Sequence, residues 1–163
     1  SKIGTNSIDT ITGINFADSQ TTSADANTLD DYEEGTYDAT VTCSSSGTIT
    51  VNSSNNAASY RKIGSLCQVS SDLSMSAVSS PVGYAQVSLP FAVVAESEDS
   101  DRAAQAVVVH GSGSNVANYV AATFGGEQVC RIFLGDNGDL QSDAANSIDS
   151  NTEIYFNVIY HTA

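Results

Sequence analysis

Leu66-Cys67-Gln68-Val69-Ser70-Ser71-Asp72-Leu73-Ser74-Met75 is the stretch on which the fold class turns. Cys67, Val69, Leu73 and Met75 fall on one side of an extended chain, and Gln68, Ser70, Asp72 and Ser74 fall on the other. Side chains alternate across a strand with a period of two, so the segment predicts a strand with one face on a core and one face toward water. Working outward, short segments of the same kind recur between turn residues at 37–43, 48–51, 59–63, 84–89, 104–110, 119–123, 128–134 and 153–160. In the last of these Ile154, Phe156, Val158 and Tyr160 share one face, while Tyr155 and Ile159 make the other face apolar as well. A strand apolar on both faces is a central strand or one that meets another subunit. Asp136-Asn137-Gly138 between Leu134 and Leu140 is a hairpin-turn signal. Pro81 and Pro90 stand at strand ends, where a missing N–H does little harm. Many short strands with polar turns predict an all-β chain, a β-sandwich with the jelly roll as its leading form.

Composition agrees. The chain has 163 residues, with 40% hydrophobic and only 15% charged, against about 25% charged in an ordinary soluble domain. Ser, Thr, Asn and Gly replace the missing charge, as in sheets with polar faces and turns. Nineteen acidic against five basic residues give a net charge of −14, which repels polyanions and anionic membrane surfaces. Nucleic acid and membrane are therefore not expected partners. No run reaches the roughly 18 apolar residues of a membrane span, and no signal peptide is expected at Ser1. A start without Met fits a processed chain or a piece of a longer one. Cys43, Cys67 and Cys130 lie in expected strands at wide spacing, with no CxxC and no Cys/His metal pattern. They read as free thiols, and if one disulfide forms the sequence does not choose its pair.

The first 28 residues differ from the rest. Ile3, Ile8, Ile11, Ile14 and Phe16 recur at uneven spacings in a background of Thr, Ser, Asn and Asp. Such a segment cannot bury its isoleucines alone, and it reads as an extended N-terminal arm or stalk end that packs on a neighbouring chain; a disordered terminus is the plainer alternative. Residues 29–36 are expected to form a corner, and 37–163 the β-domain. In that corner Asn27 or Thr28 caps a short helical turn running from Leu29 to Glu34, with Asp30 and Asp31 near its positive end. Gly35 ends the turn, and Leu29 and Tyr32 share one of its faces. Asp30, Asp31, Glu33 and Glu34 could gather a cation, but a solvated acidic face is the better account.

Residues 23–36, SADANTLDDYEEGT, followed by Tyr37-Asp38-Ala39-Thr40-Val41, resemble a linker and first strand common in tail fibres and other bacteriophage appendage proteins. Gly13-Ile14-Asn15-Phe16 resembles the apolar approach to that signature. Ala58-Ser59-Tyr60-Arg61-Lys62-Ile63-Gly64, Val87-Ser88-Leu89-Pro90-Phe91 and Glu153-Ile154-Tyr155-Phe156 resemble later segments, so the likeness spans nearly the whole chain. It departs at Tyr37-Asp38, where a Trp-Thr-Pro-like stretch is frequent, and this chain has no Trp. The resemblance implies a virion structural protein, a homotrimer without a cofactor, in a family that includes tail fibres, head fibres and capsid decorations.

Signs of catalysis are thin. His161 lies near the end of the chain, and His110 precedes Gly111-Ser112-Gly113-Ser114, which does not fit the G-x-S-x-G elbow. Asp136, Asp139 and Asp143 offer oxygen ligands without the EF-hand spacing, so a hairpin is the better account and a metal site at Asp136 and Asp139 the lesser one. Glu96, Glu98, Asp99 and Asp101 form an acidic loop that could carry a carboxylate pair for glycoside hydrolysis, although nothing in the sequence places two of them across a groove. An enzyme is therefore not expected, and a glycan depolymerase is the remote alternative. The leading expectation is a trimeric fibre tip whose loops bind a host cell-surface glycan or protein, with Tyr84, Tyr119, Ser112 and Asn115 as candidate contacts. Ile3, Ile8, Ile11, Ile14, Phe16, Leu29 and Tyr32 are the candidate oligomer or anchor residues. The alternative is a head fibre or capsid decoration held to the shell by the arm. Either places the protein in the virion, among other tail or capsid proteins.

Overall fold

The computed structural model describes residues 31–95, 102–111, 118–136, 139–141 and 143–163. Eleven strands are found among them: β1 (Tyr32–Asp38), β2 (Val41–Cys43), β3 (Ser46–Val51), β4 (Ala57–Ile63), β5 (Leu66–Val82), β6 (Ala85–Ser88), β7 (Ala104–His110), β8 (Tyr119–Thr123), β9 (Val129–Asp136), β10 (Asp139–Gln141) and β11 (Glu153–His161). The only helical element among the described residues is a 3-10 turn at Ala144–Ser147. The all-β expectation is met. Isoleucine 3, 8, 11 and 14, Phe16, Asn27, Thr28, Leu29 and Asp30 lie outside the described residues.

The strands form one antiparallel sheet in the order β1-β4-β5-β11-β7-β8-β9-β6-β2, with β10 on β9 and β3 on β5. Its middle is β7, which pairs with β11 through Val108–His110 and with β8 through Ala104–Val107. The sheet curls because β5 serves two partners in turn. Leu66 to Ser74 pair with β11, and Met75 to Val82 pair with β3. Since β3 follows directly on β2 at the opposite margin, the two ends of the sheet are drawn around one core. The alternation read in 66–75 holds, with Cys67, Val69 and Leu73 fully buried and Met75 nearly so. The strand runs seven residues past its expected end at Met75, through Ser76 to Val82, because β3 takes over as its hydrogen-bonding partner there. Ile154, Phe156, Val158 and Tyr160 of β11 meet Val41, Val87, Cys130 and Ile132 from the other half in a single hydrophobic core. Burial of these side chains is the main favourable term in folding.

The helical corner is corrected. Residues 32–36 belong to β1, which pairs with β4 residue for residue from Tyr32 opposite Ile63 to Asp38 opposite Ala57. Seven cross-strand pairs outweigh the helix-start signal of an acidic run, which is a weak local preference. Gly35 does not end a helix. It lies opposite Tyr60, whose ring crosses it so closely that a β-carbon on residue 35 would stand 2.8 Å from the Tyr60 hydroxyl. The expected single strand 37–43 is broken at Ala39 and Thr40, where the chain passes from β4 to β6: the Ala39 N–H donates to Asn56 and the Thr40 N–H to the Ser88 hydroxyl. Among the described residues of the corner, Asp31, Glu33 and Glu34 are engaged within the chain. Asp31 pairs with Lys62, Glu33 accepts from the Tyr60 hydroxyl at 2.5 Å, and Glu34 accepts from Tyr32 at 2.9 Å and faces Arg61 at 3.8 Å.

Two tyrosines carry hydrogen bonds to distant segments of the chain, and a third bonds across β1 and β4. The Tyr37 hydroxyl donates to the Ser88 carbonyl at 2.7 Å, and that of Tyr160 donates to the Phe91 carbonyl at 3.1 Å. Burial raises the pKa of both well above the ordinary tyrosine value. Tyr60 is pushed up to about 12, first by its hydrogen bond to Glu33 and then by burial. A phenol whose pKa is higher in the folded than in the unfolded chain stabilises the fold fully below the unfolded value and less above it. The urea midpoint is therefore expected to hold up to about pH 7.5 and to fall by about pH 11, as the cysteine thiols and then the tyrosines ionise first in the unfolded chain. Urea titrations at the two pH values check this, and an unchanged midpoint would refute it. Cys43, Cys67 and Cys130 are free thiols, Cys67 and Cys130 buried, and burial lifts the Cys130 thiol to about 12.

Candidate functional site

β9 builds the most distinctive surface of the molecule by simple alternation. Cys130, Ile132 and Leu134 point into the core, so Arg131 and Phe133 between them point out. Register then gathers partners. Ala85 of β6 lies opposite Ile132, which sets Tyr84 beside Phe133 with ring centroids 5.5 Å apart. Phe124, just past the end of β8, meets Phe133 edge-on at 6.2 Å. Arg131 lies between the two outer rings, its guanidinium carbon 4.9 Å from the Tyr84 centroid and 4.2 Å from that of Phe124. Arg102 approaches the Phe124 ring at 5.6 Å. Two of the five basic residues of an acidic chain thus meet on one aromatic patch.

The guanidinium is held in place. A turn over residues 124–127, closed by the Glu127 N–H donating to the Phe124 carbonyl at 3.2 Å, brings Phe124 and Glu127 to the same side chain. Glu127 receives two hydrogen bonds from Arg131, one from Nε at 2.9 Å and one from the terminal nitrogen. A bidentate carboxylate fixes the plane of a guanidinium, and a fixed plane stacks on rings. Each cation–π contact is worth about 0.5–2 kcal/mol according to its exposure. The outcome is a rigid, half-buried platform of Tyr84, Arg131 and Phe124 backed by Phe133 and rimmed by Glu127. Rigid aromatic faces with a few fixed donors and acceptors can take the apolar face of a sugar ring while bonding its hydroxyls. The stack also covers the outer side of this half of the sheet, and that role alone would account for its packing.

The sequence-based candidates scatter. Tyr84 stands in the platform. Tyr119 does not contact solvent: it is 5% exposed, on the core side of β8, and its hydroxyl lies 3.0 Å from that of Ser147 in the 3-10 turn. The receptor-contact reading of Tyr119 is thereby corrected. Ser112 and Asn115 lie outside the described residues. Asp136 and Asp139 face each other across the β9–β10 hairpin, as the Asp-Asn-Gly signal predicts, but their side chains are outside the description. No group of three or more His, Cys, Asp or Glu residues is arranged for a metal among the described residues. Tyr32 lies beside Ile63 at the start of β1. His110 is exposed and lies 3.8 Å from Glu153. A separate depression of about 300 Å³ lies between β1 and β4, lined by Glu34, Gly35, Thr36, Ser59, Tyr60 and Arg61. Phe124, Glu127, Arg131 and Phe133 escaped the sequence reading. The alternation in 128–134 carried a signal for Arg131 and Phe133, whereas only the tertiary turn joins Phe124 and Glu127 to them.

No protein-family model matches the chain, and no curated protein matches it in sequence. Among solved structures, the crystal structure of Dettilon tailspike protein (gp208) superposes with a TM-score of 0.67 at 19% identity, over 79% of this chain. The chain spans only 23% of that protein's length. In fold, though not in sequence, it is similar to a module of a tailspike.

Proposed function

We propose that the chain is a virion structural protein of a bacteriophage, a homotrimeric appendage module that binds a host cell-surface glycan without cleaving it. The observation that carries the reading is the Tyr84–Arg131–Phe124 platform, a fixed aromatic and guanidinium surface on the outer side of the sheet. The fold likeness to a tailspike and the resemblance of residues 23–41 to appendage proteins support it. The net charge of −14 further favours an uncharged or cationic glycan over a strongly anionic one. Binding needs no cofactor, and other virion proteins are the partners on the particle.

The test is a bacterial glycan array probed with the intact chain, its Tyr84→Ala variant and its Arg131→Ala variant. Wild type is expected to bind at least one glycan, and each variant to bind it about tenfold or more weakly, the scale of losing an aromatic or Arg anchor. Incubation with the bound glycan should release no reducing ends. Equal binding by all three proteins would remove the platform from the reading, and reducing ends would make the protein a depolymerase.

A further inference from the structure

The opposite half of the sheet carries a second surface, of different chemistry. Among the described residues six large hydrophobic side chains are exposed, and five of them, Ile63, Leu66, Val108, Tyr155 and Ile159, share the outer face of β1, β4, β5, β11 and β7. Each is between 42% and 59% exposed. The register shows how they adjoin. Tyr32 lies opposite Ile63, Ile63 opposite Leu66, and Leu66 opposite His161, so one row crosses four strands. Ile159 sits in the next row, opposite Gln68, which is itself opposite Arg61. Thr36, Ser59, Ser70 and Asn157 form the row beyond, small and uncharged. At the far end Tyr155 is flanked by Asp72 on β5 and Val108 on β7.

We infer that this face is where copies of the chain meet one another around the axis of the trimer. The inference deepens the proposed function and rests on its trimer. Size is the first argument. Nine residues of β11 span about 30 Å and five strands about 20 Å, so the face offers roughly 600 Å², near the ~800 Å² each partner contributes to a standard interface. Charge is the second. Over the three rows from Tyr32 to Asn157 the ionised groups are Glu34 and Arg61, which lie 3.8 Å apart and offset each other, while Asp72 and Glu153 stand at the Tyr155 end; most of the molecule is acidic. A second copy can therefore approach here with less like-charge repulsion than over the acidic remainder of the surface.

The test is the mass of the full chain by light scattering, with strand content followed by circular dichroism. Ile159→Asp and Asn157→Arg place a charge in the face, and Val82→Asp places one on the exposed hydrophobic that lies off it. Wild type and Val82→Asp should have three times the mass of one 16.9 kDa chain. Ile159→Asp and Asn157→Arg should fall to one third of that mass with unchanged strand signal. If Ile159→Asp loses its strand signal, Asn157→Arg decides. Trimeric face variants would overturn the inference and leave the trimer standing. A monomeric wild type would overturn both.

Discussion

Replacing Phe156 with alanine should lower the stability of the fold by about 3–5 kcal/mol, the largest loss we expect from a single side chain in the core. Phe156 is 2% exposed and stands at the middle of β11, the strand that carries hydrogen bonds to β5 along its whole length. It belongs to the one buried core that also holds Val69, Leu73 and Ile132. Close-packed strands on both sides limit how far the walls can collapse into the vacancy, so a cavity cost adds to the lost transfer energy. Such a loss is a large share of the roughly 5–15 kcal/mol by which domains are stable. Urea unfolding should show a lower midpoint at an unchanged slope, since the surface exposed on unfolding stays nearly the same. A loss below about 1 kcal/mol would mean that the halves are not packed on this ring.

Gly47→Ala should cost more than about 2 kcal/mol through the backbone rather than the core. Gly47 has φ +90°, and a β-carbon there would stand 2.1 Å from the Ser80 carbonyl oxygen and 2.7 Å from Pro81 Cα. These are main-chain atoms and cannot swing aside. The position also lies at the register shift between Ser46 and Thr48 that lets β3 follow the far end of β5, where Ser80 itself adopts φ 43°. Gly126 supplies a matched control, because its φ is +78° but nothing lies within 4 Å of the added atom. Gly126→Ala should cost about 1–2 kcal/mol, the conformational part alone. Hydrogen exchange should locate the excess damage of Gly47→Ala in β3 and the last third of β5. Equal losses at the two glycines would show that the contact with Ser80 does not matter.

Much of the fold was legible because alternation is a local signal. The segments at 104–110 and 119–123 match β7 and β8 end to end, and the two-faced apolar strand became β11, central in the sheet with Tyr155 and Ile159 exposed behind it. What was not legible depends on distant partners. Residues 32–36 read as a helix start because their acidic run and glycine are local cues, while the strand they form is dictated by β4. The far end of β5, rich in serine with Pro81 near its end, has no alternation to reveal it and exists because β3 pairs with it. The candidate platform was half legible for the same reason. Tyr84 could be named from its place at a strand end, but Glu127 and Phe124 matter only through a turn that the tertiary fold closes on Arg131. Tyr119 failed because an aromatic at a strand start looks the same whether it faces solvent or a buried serine.

The Gly64 N–H donates to the Asp31 carbonyl at 3.1 Å, and at the other end of the described chain the Thr162 N–H donates to the Ser65 carbonyl at 2.7 Å. The two ends of the described chain therefore anchor on adjacent residues of the β4–β5 hairpin. A pull between residue 31 and residue 163 would load that hairpin, and the 92–94 segment bonded to the last residues, before it reached the far half of the sheet.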